Sequence, residues 1–111
     1  MRLSLVVFGF VLLAFQPAIC SAGNFIVLLQ DKQFIYNDKS VETIDIKKGD
    51  RVTFKNNDSI KYEIYSKSVT KPFDLGAMKP GASKHVIFKK AGEVEVSCKL
   101  HADMYLDIIV K

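Results

Sequence analysis

The chain is 111 residues long, which sets one domain as the expectation. Its net charge of +4 comes from 16 lysines and arginines against 12 aspartates and glutamates. The lysines are scattered among acids, with no arginine cluster and no basic stripe. That pattern argues against nucleic acid and leaves at most a mild attraction for an acidic partner.

The first 22 residues read as a secretory signal peptide. Arg2 supplies the positive start, and Leu3 to Phe15 is apolar apart from Ser4 and Gly9. Gln16 and Pro17 break the run, and Cys20-Ser21-Ala22 offers small residues for cleavage. The run is too short and wrongly flanked for a membrane span. Cleavage after Ala22 leaves residues 23–111 as the mature domain, exported to the periplasm with no membrane insertion. A lipid on Cys20 is the alternative, against which stands the bulky Ile19 before it. Cleavage also removes Cys20 and leaves Cys98 as the sole cysteine. A single thiol in an oxidising compartment is buried and inert, paired between chains, or occupied by a metal. A domain this small often gains from a bound metal.

The mature chain reads as strand after strand. Asn24 to Leu29 is an apolar run. Phe34 and Tyr36 alternate with Ile35 and Asn37 before a turn at Asn37-Asp38-Lys39. Val41 to Ile46 alternates and turns at Lys48-Gly49-Asp50. Val52 and Phe54 share a face before a turn at Asn56-Asn57-Asp58. Ile60, Tyr62 and Ile64 share another, with Lys61, Glu63 and Tyr65 opposite. The stretch KPFDLGAMKPG, from Lys71 to Gly81, is expected to be loop. Val86 and Phe88 then set one register, with His85 facing outward, and Val94, Val96 and Cys98 set the next. Tyr105 to Val110 closes the chain. Short strands at this spacing, joined by Gly, Pro and Asn turns, predict an all-β antiparallel sandwich or barrel. No segment holds a helical period long enough for a helix, and so there is no phosphate-cradling strand-to-helix loop.

The chemistry concentrates in CKLHADM, Cys98 to Met104. A thiol, an imidazole and a thioether lie on one short loop between the last two strands, spaced so that all three can turn toward one point. The set suits copper, because thiolate and thioether are soft donors and imidazole is borderline. Two imidazoles, a cysteine and a long methionine contact describe a blue-copper electron-transfer site. Zinc prefers a closed set without methionine. Cys98 and His101 as nucleophile and base would lack an orienting carboxylate, so an enzyme is not expected.

These residues, together with IDIKKGDRVTFKNND and KPFDLGAMKPGASKHVIFKKAGEVEVSC, resemble a cupredoxin of the plastocyanin type. Within it they are most similar to the small periplasmic methylamine-utilisation-like subgroup. The resemblance covers nearly the whole mature chain. It implies a Greek-key β-sandwich with one copper ion at one end, cycling between Cu(I) and Cu(II). It implies Cys98 as the strong equatorial ligand and electron route, His101 as an imidazole ligand whose exposed edge meets a partner, and Met104 as the axial thioether. The family takes a further histidine from the strand after the NND turn. Here that position is Tyr62, followed by Glu63 and Ile64, and the chain's only histidines are His85 and His101.

Tyr62 is therefore either a fourth, phenolate ligand or an aromatic plug in the imidazole's place, and Glu63 is a lesser alternative if a bulge re-aims it. Three functions follow. The first is one-electron transfer at a modified type 1 copper site, blue or red, held by Cys98, His101, Met104 and Tyr62. The second is a copper carrier or sensor holding Cu(I). The third is a cupredoxin-fold binding module without metal. The expected partner is a redox protein or a copper donor or acceptor, and the expected state is a monomer.

Overall fold

The computed structural model describes residues 22–111. The signal peptide expected over residues 1–22, and the question of a lipid on Cys20, lie outside these residues apart from Ala22. Among the described residues there is no helix, and thus none long and apolar enough to cross a membrane.

Among the described residues ten strands follow in chain order: β1 (Asn24–Gln30), β2 (Gln33–Tyr36), β3 (Lys39–Ser40), β4 (Thr43–Ile46), β5 (Arg51–Asn56), β6 (Tyr62–Ser66), β7 (Phe73–Met78), β8 (Ser83–Ile87), β9 (Gly92–Cys98) and β10 (Tyr105–Val110). They form two five-stranded sheets, β3-β2-β1-β5-β8 and β4-β10-β9-β6-β7. The alternation in the sequence becomes the core. Val52 and Phe54 of β5, Tyr62 and Ile64 of β6, and Val94, Val96 and Cys98 of β9 are all buried, as the two-residue period of a strand requires. Aromatic rings stitch the layers together. Phe54 meets Phe34 at 6.3 Å and Phe73 at 6.3 Å, and Phe73 meets Phe88 edge-on at 6.3 Å.

Two expectations need correction. The sheets are mixed rather than purely antiparallel, because β1 pairs parallel with β5 and β10 parallel with β4. The chain leaves one sheet after β3 and enters the other at β4, and such crossings between layers allow sequence-distant strands to lie side by side in parallel. The stretch expected to be loop contains β7. Pro72 and Gly76 do not prevent pairing there, because β7 is an edge strand with a partner on one side only. Its register against β6 shifts between Glu63 and Tyr65. That irregularity, with Gly76 at φ 69°, blurs the alternation in the sequence.

The turn between β1 and β2 positions the site. Asp31 and Lys32 form a two-residue connection at φ 54° and 58°. Such a left-handed pair matches the twist of a hairpin but is uncommon without glycine or asparagine.

Candidate metal centre

Cys98 ends β9, and Met104 precedes β10, so the hairpin between these strands delivers both sulfurs. Both residues are buried, at 4% and 3% exposure. The Met104 N–H donates to the His101 carbonyl at 3.1 Å, which closes the loop into a turn. His101 is half-buried.

The loop packs on the start of β6. The Glu63 N–H donates to Cys98 Sγ at 3.4 Å, and the Lys99 N–H donates to the Glu63 carbonyl at 2.9 Å. The imidazole Nε2 of His101 lies 3.1 Å from the Lys61 carbonyl. Its ring meets the Tyr62 ring edge-on, with centroids 5.1 Å apart. Sulfur and imidazole therefore converge on the same three residues, Lys61, Tyr62 and Glu63. A carbonyl can only accept, so in the neutral ring Nε2 carries the proton and Nδ1 keeps its lone pair.

Tyr62 is fully buried. Its hydroxyl donates to Asp58 Oδ2 at 2.8 Å and accepts the Lys32 N–H at 3.0 Å. Burial is the main reason the phenol is pushed up to about 12. The Lys32 N–H opposes the rise, and the Asp58 carboxylate adds to it. Asp58 is held below the usual carboxylate range by the Tyr62 hydroxyl and then by the N–H groups of Ser59 and Asp31. Asn56 pins the loop that carries Asp58. Its amide donates to the carbonyls of Ile60 (2.8 Å) and Met78 (2.9 Å), and its Oδ1 accepts the Asp58 N–H at 3.0 Å.

Among the described residues no three His, Cys, Asp or Glu side chains gather into a metal-holding group. A metal held by this loop would have Cys98, His101 and the Met104 thioether as its candidate donors. That donor set, two sulfurs and one imidazole with a free Nδ1, fits copper and does not fit magnesium or calcium. His85 is exposed on β8 opposite Thr53 and belongs to the other sheet. Glu63 meets the site through its backbone. Motif reading missed Asp58, Asn56, the Lys61 carbonyl and the Lys32 N–H. The NND turn was the one signal pointing to the first two.

No family model matches the sequence, and no curated protein matches it. Solved structures do match. A mutant of amicyanin in its Cu(I) form is 19% identical, with 83% of this chain and 86% of that one covered at a TM-score of 0.67. A purple cupredoxin from Nitrosopumilus maritimus is also 19% identical, with 78% and 99% covered at 0.66. A copper-containing nitrite reductase from Thermus scotoductus SA-01 is 23% identical at a TM-score of 0.69, but the match spans only 26% of that chain against 89% of this one. With its two mixed five-stranded sheets and a Cys-His-Met hairpin at one end, the chain has the cupredoxin fold.

Proposed function

We propose that this chain is a small exported copper protein that passes single electrons. In this reading Cys98, His101 and Met104 would hold the metal, and the Tyr62 ring fills the place where the resemblance puts a further histidine. The observation that carries it is the convergence of Cys98 Sγ and the His101 ring on Lys61–Glu63. Amicyanin in its Cu(I) form and the copper-containing nitrite reductase share this fold, which supports copper as the metal.

Copper supplies one-electron redox chemistry when bound. The chain's own residues do the rest. Cys98 binds through sulfur and offers the covalent route for the electron. The Glu63 N–H orients that sulfur, and the Lys61 carbonyl fixes the imidazole so that Nδ1 stays free. The buried wall of Tyr62 keeps water from the inner side. A half-buried His101 beside exposed Leu100 gives a redox partner a point of approach.

Purified exported protein, titrated with Cu(II), is expected to retain one copper per chain and to develop an intense thiolate-to-copper band. Cys98→Ser is expected to lose the band. Copper-free protein by mass spectrometry after the titration would overturn the reading. A second reading, a Cu(I) carrier, is favoured by one observation: the Tyr62 hydroxyl is already engaged elsewhere. Uptake of Cu(I) with no band on adding Cu(II) would select it.

A further inference from the structure

Tyr62 puts a phenol beside the candidate ligands, yet both hydrogen-bond partners of its hydroxyl, Asp58 and the Lys32 N–H, lie outside that ligand set. The single O–H is given to Asp58 Oδ2, and the oxygen also accepts the Lys32 N–H. The Asp58 carboxylate is itself fixed by the N–H groups of Asp31 at 2.9 Å and Ser59 at 2.7 Å. Asp31 and Lys32 sit in the left-handed region, and that conformation turns both N–H groups onto this one hydroxyl–carboxylate pair. Asn56 holds the other side of the bracket in place. Two segments about thirty residues apart in sequence thus share the work of fixing one phenolic oxygen.

We infer that Asp58 is a positioning residue which, with the Lys32 N–H, holds the Tyr62 hydroxyl out of the metal's coordination shell, leaving Cys98, His101 and Met104 as a three-donor site that binds Cu(I) more tightly than Cu(II) yet accepts both. The inference rests on the copper reading above. Cu(I) accepts few, soft donors, and two sulfurs with one imidazole meet that demand. The hard oxygen that would favour Cu(II) is withheld. Asp58 acts only through Tyr62.

The test compares wild type, Tyr62→Phe, Asp58→Asn and Asp58→Ala. Cu(I) affinity is read anaerobically by competition with a chelator, and resonance Raman spectra are recorded after adding Cu(II). Cu(I) affinity of Tyr62→Phe is expected within about threefold of wild type, since no ligand is lost. Neither protein is expected to show tyrosinate ring modes with Cu(II). Asp58→Ala is expected to gain those modes, and to bind Cu(II) about tenfold more tightly as the oxygen donor becomes available. Asp58→Asn keeps an acceptor oxygen for the Tyr62 hydroxyl while losing the Ser59 N–H contact, and is expected to show no tyrosinate modes. Tyrosinate modes in the wild type that vanish in Tyr62→Phe would overturn the inference and leave the copper reading standing. A folded Asp58→Ala indistinguishable from wild type would overturn the role of Asp58. If circular dichroism shows that Asp58→Ala does not fold, the wild-type and Tyr62→Phe spectra decide the matter alone. A wild type that retains neither Cu(I) nor Cu(II) would overturn the inference and the copper reading together.

Discussion

The hairpin loop from Cys98 to Met104 and the segment from Asn56 to Glu63 build the same end of the molecule by different means. The loop contributes side chains with metal-binding chemistry, each separated from the next by two residues. The segment contributes mostly backbone: a carbonyl from Lys61, an N–H and a carbonyl from Glu63, and a loop held by Asn56. Its two prominent side chains, Tyr62 and Asp58, bind each other. The difference teaches that a site's donors can be compact in sequence while the frame that aims them is dispersed, and is carried by groups every residue possesses.

Removing one side chain from each region separates their roles most clearly. Tyr62 is the largest of the fully buried side chains. Tyr62→Ala is expected to destabilise the copper-free protein by about 3–5 kcal/mol in urea denaturation, from lost burial and the cavity left behind. Leu100→Ala, at a position 45% exposed on the loop, is expected to stay within about 0.5 kcal/mol. Equal costs would mean that the loop is as deeply built into the fold as the segment.

Asn56→Ala comes next in size. It strips hydrogen bonds from the carbonyls of Ile60 and Met78 and from the Asp58 N–H. A loss of about 2 kcal/mol is expected, read as a lower midpoint at unchanged slope. A smaller loss would mean that the Asp58 loop holds its shape without Asn56.

A pH dependence of comparable size follows. The folded chain holds the Tyr62 proton up to about 12, whereas an unfolded tyrosine releases it near 10. Between those values the native state binds more protons, so stability is fully present below pH 10 and falls as pH rises toward 12. This group contributes about 2 kcal/mol of that fall, once solvent screening near the surface loops is allowed for. Tyr62→Phe is expected to flatten the alkaline limb of stability against pH by that amount. An unchanged limb would contradict the burial and hydrogen bonding assigned to the phenol.

Much of this end of the molecule was legible in the sequence. Val94, Val96 and Cys98, like Ile64, alternate cleanly, and alternation is a direct consequence of strand geometry. The donor types at Cys98, His101 and Met104 announce their chemistry without coordinates. The pairing of Tyr62 with Asp58 was not legible. Asp58 reads as a turn residue, and its partner N–H groups come from a hairpin about thirty residues earlier whose Asp31-Lys32 turn carries no usual hairpin signature. The strand over Phe73–Met78 was hidden for a related reason: Pro72 and Gly76 signal a break that an edge strand tolerates. The parallel pairs were hidden because residue periodicity says which face a side chain takes and nothing about which strand lies alongside.

The most direct test of the account is X-ray absorption at the copper edge on the copper-loaded wild-type chain in its reduced state. Sulfur scatterers with a single imidazole and no phenolate oxygen are expected. A shell of nitrogen and oxygen without short copper–sulfur scattering would contradict it.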